Sequence, residues 1–151
     1  MQFDMKFSKN TFYLFAIIVM IQIPGLAEAR DTSQQLSISD AMNTDTAKSF
    51  TGVEFYFSDQ SYQEPKRFIG NYTSKKTTNA FGKTDEEACQ WAFLSAIKNF
   101  YERALREGGN AVVKIKSITT GKPFESTDQF VCRAGNIVAK VYLQADVVEL
   151  K

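Results

Sequence analysis

The sequence predicts an α+β fold in which one long helix packs across a curled antiparallel sheet, in the order β-β-α-β-β-β. Three observations carry that reading. Apolar residues between Thr84 and Glu107 recur at helical spacing, the pair Gly108-Gly109 closes the segment, and the stretches on either side alternate with a period of two. Short links in the C-terminal part, such as Ala134-Gly135-Asn136, demand antiparallel hairpins, so the helix lies on a sheet rather than between parallel strands.

In chain order, residues 1–29 have the pattern of a secretory signal peptide. Lys6 and Lys9 precede an apolar run from Phe12 to Ile23, then a Pro24-Gly25 break and Ala27-Glu28-Ala29, with cleavage expected between Ala29 and Arg30. The apolar run is about 12 to 15 residues, short of the roughly 20 needed to span a bilayer as a helix, so no stable membrane anchor is expected after cleavage. Cleavage would remove Lys6, Lys9, Asp4 and Glu28 together, leaving the net charge at +1. What remains is roughly 120 residues, enough for one core.

Residues 30–50 are polar with weak helical signals at Ser39–Met42 and Asp45–Phe50, and read as an N-terminal arm with short helical turns. A single α+β domain is expected over residues 51–151. Its first strand is Val53–Phe57, with Val53, Phe55 and Phe57 on one face, and its second runs from about Lys66 to Thr77. The helix follows from Asp85 to Glu107. Thr84 and Glu87 stand three residues apart as a capping box, and Asp85, Glu86 and Glu87 lie at the positive end of the helix dipole. Cys89, Phe93, Ala96, Ile97, Phe100, Tyr101 and Ala104 share a face that Leu94 and Leu105 widen. Beyond the glycines, the strand Asn110–Lys116 alternates with Ala111, Val113 and Ile115 inward. Strands Asp128–Arg133 and Ile137–Val148 complete the sheet, with Ile137, Ala139, Val141 and Leu143 on the core face.

Cys89 lies on the apolar helix face and Cys132 on the side of its strand shared with Phe130, the side that faces the helix. An even count in an exported chain reads as one disulfide. The alternative is a thiol redox or metal site at Cys89 and Cys132, since helix N-termini lower thiol pKa values. The chain has no histidine, which removes His-based nucleophilic catalysis, His-ligated zinc and the usual neutral-pH base. No catalytic residue, metal ligand or cofactor is therefore expected. Gly82-Lys83-Thr84 follows a strand and opens a helix as a phosphate-binding loop does. The full pattern needs a glycine where Thr77 stands, which leaves a degenerate nucleotide-binding candidate. Near-neutral charge, with cations clustered only at Lys66-Arg67 and Lys75-Lys76, argues against nucleic acid. Trp91 points off the centre of the apolar face. With Tyr56 and Tyr72 it could form a partner-binding aromatic patch, or it could pack under the N-terminal arm.

The run Asp85-Glu86-Glu87-Ala88-Cys89 with Trp91-Ala92-Phe93, the stretch Arg106 to Val113, and the hairpin at Cys132…Ala134-Gly135 resemble a family of small exported bacterial proteins often named excinuclease ATPase subunit. The name implies nucleotide-dependent DNA repair, but this chain has neither an intact nucleotide-binding loop nor zinc-finger cysteines. More distantly, the helix ending in Gly-Gly-Asn-Ala-Val-Val and its hairpin are similar to the Rcs envelope-stress sensor lipoprotein and to heavy-metal-binding-like small proteins. This chain lacks the sensor's lipid-attachment cysteine. The expectation from the sequence is a periplasmic or secreted, disulfide-stapled, non-enzymatic module that binds a protein or envelope component.

Overall fold

The computed structural model describes residues 30–151, so the expected signal peptide, with Ala27 and Ala29, lies outside the described residues. The elements run β1 (Asp31–Ser37), α1 (Ile38–Met42), α2 (Asp45–Lys48), β2 (Glu54–Phe57), β3 (Pro65–Asn79), α3 (Asp85–Glu107), β4 (Ala111–Ser117), β5 (Gln129–Gly135) and β6 (Val138–Leu150). The architecture is α+β, with α3 packed across one curled sheet. That sheet is organised on β6: β3 pairs along one side of it, while β5 and β4 share the other side. β5 takes the N-terminal half, with Ala134 opposite Ala139, and β4 the C-terminal half, with Ala111 opposite Val148. Two strands diverging from one edge force the sheet to curl.

Where β4 and β5 part, backbone groups lose strand partners, and two buried hydroxyls replace them. Ser117 Oγ accepts from the Val131 N–H at 3.0 Å. Thr119 Oγ1 donates to the Val131 carbonyl at 2.8 Å and accepts from the Tyr142 N–H at 3.1 Å. A buried polar group is tolerated when bonded in this way.

The strand order differs from the expected one in two places. The segment read as an arm contains the two short helical turns, but it begins with β1, a full strand antiparallel to β5. Its sequence, DTSQQLS, lacks the alternation that marks a half-buried strand, because most of it is exposed and Leu36 is its one apolar side chain packed on the core. The sheet is also mixed rather than purely antiparallel: β2 runs parallel to β4, with Glu54 opposite Ala111. β2 and β3 sit on opposite flanks of β6, so the loop between them crosses the sheet instead of turning a hairpin. Tyr62 of that loop packs with its ring tilted against Tyr56, centroids 5.5 Å apart, beside Ala111, Val113, Val148 and Leu150, a second small cluster on the face away from α3.

Those residues expose a further correction. Ala111 and Val113 face away from the helix, while Val112 and Ile115 face it. A β-bulge at Lys114, whose φ of 53° is left-handed, shifts the alternation by one residue, which a strict period of two cannot register. A similar irregularity between Phe68 and Gly70 leaves Phe68 exposed and turns Ile69 and Tyr72 toward the core. Ile137, expected on the core face, precedes β6 and is exposed, as is Leu105 at the margin of the helix face.

The helix face itself follows its sequence pattern. Cys89, Phe93, Ala96, Ile97, Phe100 and Ala104 are buried, joined by Ala88, Ala92 and Leu94, and Phe93 stacks on Phe130 at 4.1 Å. Gly108, at φ 74°, ends the helix, and the Gly109 N–H closes back on the Ala104 carbonyl at 2.8 Å. No helix among the described residues is long and apolar enough to cross a membrane.

Candidate functional site

The sequence's candidate residues converge on one end of the molecule, where α3 begins. Thr84 Oγ1 accepts from the Glu87 N–H at 3.1 Å, and Glu87 Oε2 accepts from the Thr84 N–H at 3.0 Å. This reciprocal pair satisfies two donors that a helix start otherwise leaves open. One turn on, Cys89 is bonded to Cys132, and both are fully buried with Cα atoms 5.8 Å apart. The bond ties the first turns of α3 to β5. With both sulfurs consumed and no surface exposed, the pair is a cross-link, not a thiol site.

Gly82, Lys83 and Thr84 form the turn into the helix, with Gly82 at φ 73°. Three amides of this turn are already bonded. Phe81 N–H donates to Asn79 Oδ1 at 2.8 Å, Lys83 N–H to the Ala80 carbonyl at 3.1 Å, and Thr84 N–H to Glu87. Lys83 Nζ folds back onto the Asn79 carbonyl at 3.2 Å. The three acids that open the helix add negative charge where an anion would sit.

Arg30, the residue expected to follow the cleavage point, is anchored at this same end. Its guanidinium donates to Asp85 Oδ1 at 2.5 Å, and Gln34 Nε2 donates to the other carboxylate oxygen at 2.9 Å. Arg133 forms a bidentate pair with Asp31 at 3.2 and 2.6 Å. Between these pairs opens a cleft of about 260 Å³, lined by Arg30, Arg133, Asn136, Ile137, Val138 and Lys140 among others.

Two large apolar side chains flank this end without cover: Phe81 is 78% exposed and Ile137 70%. The Ala80 N–H donates to the Ile137 carbonyl at 2.7 Å, extending the β3–β6 ladder past Asn79 and Val138 and setting Phe81 and Ile137 at the same ladder end. Sequence reasoning placed Ile137 in the core. The signal available was the tight turn before Val138, which puts Ile137 at its corner instead of in the strand.

The aromatic trio Trp91, Tyr56 and Tyr72 is not brought together. Trp91 stands over a shallow hollow with Thr44, Thr46 and Leu94, beside the α1–α2 segment. Tyr56 donates to Glu54 and leans on Tyr62. Tyr72 lies under the Arg103 guanidinium at 4.2 Å and donates to Glu107 at 2.5 Å. That hydrogen bond, with help from Arg103, holds the Glu107 carboxyl below its ordinary range, and its counterpart raises the Tyr72 phenol. Lys66 and then Arg67 likewise lower Glu149. Tyr72, Arg103 and Glu107 thus fasten β3 to the last turn of α3, and the Glu149 pairs fasten β3 to β6. Comparison with protein-family models, curated proteins and solved structures finds no match for this chain.

Proposed function

We propose that the chain is an exported, disulfide-stapled, non-enzymatic module that binds a protein or envelope component through the surface around Phe81 and Ile137. The observation carrying this reading is the exposure of those two apolar side chains at one end of the β3–β6 ladder, beside a cleft lined by Arg30, Arg133 and Lys140. Large exposed apolar side chains with a polar, charged rim are the composition of partner-binding surfaces. The buried Cys89–Cys132 bond supports an oxidising compartment, where such a cross-link persists. A periplasmic or secreted location fits it.

The test is site-specific photo-crosslinking from position 81 in the host's envelope fraction, compared with the same probe at Glu102 on the far part of α3. A discrete adduct from position 81 that is lost in Ile137→Ser, while the melting temperature stays within about 2 °C, is the expected result. Equal labelling from both positions refutes the assignment. Nucleotide binding abolished by Lys83→Ala would instead favour the function implied by the excinuclease name.

A further inference from the structure

We propose that the free edge of β1 pairs antiparallel with the same strand of a second copy, joining two sheets about a two-fold axis at Gln34. The direction of the backbone groups follows from β5. Ile38 N–H donates to the Asp128 carbonyl, so Ile38 and Asp128 form a hydrogen-bonded pair, and such pairs alternate along an antiparallel ladder. With Leu36 opposite Phe130, Gln34 opposite Cys132 and Thr32 opposite Ala134, those residues spend their backbone groups on β5. The residues between them do not. Val131, opposite Gln35, confirms the parity, because its N–H and carbonyl turn away from β1 to Ser117 and Thr119.

The N–H and carbonyl groups of Asp31, Ser33, Gln35 and Ser37 therefore point outward, and among the described residues none of them bonds to another strand. An open row of this kind is a template for strand addition. β1 is self-complementary in the register that these groups dictate. Ser33 would bond with Gln35 of the second copy, Asp31 would lie opposite Ser37, and Gln34 would meet Gln34 on the axis. No like charges face one another, and Asp31 is already neutralised by Arg133.

The other long edge is guarded. β3 paired with itself about Asn71 would set Lys75 against Arg67 and Lys76 against Lys66, a like-charge pattern that blocks edge pairing. β2 has four residues and offers little. The two long edges thus differ in kind: β3 carries proline, lysine and arginine, and β1 carries none of them.

The contact is small by the standard of stable interfaces, so the association is weak, with a Kd on the order of 100 µM. Sedimentation equilibrium of the host-processed chain between about 10 µM and 1 mM reads it as a rise in average mass toward twice that of one chain. Ser33→Lys with Gln35→Lys places lysine opposite lysine twice while keeping the β1–β5 backbone hydrogen bonds, and weakens association at least about tenfold; Ser33 lies opposite Arg133, a burden that both double variants share. Ser33→Lys with Gln35→Glu places opposite charges across the same axis and restores it. The proposal is overturned by a wild type that stays monomeric to 1 mM, or by two double variants that associate alike.

Discussion

The consecutive glycines after α3 do different jobs, and substituting each by alanine separates them. Gly108 has φ 74°, and a Cβ there meets only the Arg67 guanidinium at 3.5 Å, an ordinary contact. Its requirement is conformational. A left-handed non-glycine residue costs roughly 1–2 kcal/mol, partly offset by the lower entropy of the unfolded alanine chain, so Gly108→Ala loses about 1 kcal/mol. Gly109 is not left-handed, yet a Cβ there would stand 2.8 Å from Ile69 Cδ1, 2.9 Å from Val147 Cγ1 and 2.9 Å from the Val148 carbonyl oxygen. The side chains can yield by rotation. The carbonyl cannot, because Val148 sits in the central strand and that same oxygen accepts from the Asn110 N–H. Gly109→Ala therefore falls at the upper end of overpacking, about 3 kcal/mol. In urea denaturation with a slope near 1.5 kcal/mol per M, the midpoint falls by about 2 M for Gly109→Ala and under 1 M for Gly108→Ala. Equal shifts, or a milder effect at Gly109, would show that the helix does not press its exit against β6 as described.

Four further outcomes follow from the same geometry. Replacing both Cys89 and Cys132 by alanine removes a cross-link with a sequence separation of 43 and costs about 4 kcal/mol in the chain-entropy account, read as a urea midpoint lower by more than 2 M. Thr119→Val keeps the volume but strips the Val131 carbonyl and the Tyr142 N–H of a buried partner, a loss of about 1–3 kcal/mol by thermal denaturation. Thr84→Ala removes the cap and costs about 1 kcal/mol; an unchanged denaturation midpoint would contradict the helix start. The depressed Glu107 carboxyl contributes stability that is present above its unfolded pKa and lost as pH falls through the lower folded one, whereas the raised Tyr72 phenol contributes until pH climbs through its folded value. Glu107→Gln accordingly flattens the acid limb of a melting temperature–pH profile, and an unaltered limb counts against the Tyr72–Glu107 bond.

What the sequence made legible is what local chemistry dictates. The cap at Thr84, the apolar face from Cys89 to Ala104 and the glycine stop each need only neighbours within a turn or two, and the cysteines announced their pairing by lying on facing surfaces. What stayed hidden depends on distant partners. β1 is a strand because β5 offers it an edge, and β2 lies parallel to β4 because its loop crosses the sheet. The bulge at Lys114 inverts a strand face with no glycine to mark it. The surface at Phe81 and Ile137 was missed for the same reason: its defining feature is a hydrogen bond between residues 57 positions apart in sequence, Ala80 and Ile137.

Native mass spectrometry of the protein from its host's envelope fraction, with and without reduction and alkylation, tests the claim of an exported, disulfide-stapled module most directly. The account predicts a chain beginning at Arg30 that takes up no alkyl groups until reduced and then takes up two, on Cys89 and Cys132. A chain retaining residues 1–29, with both cysteines alkylated before reduction, would contradict it.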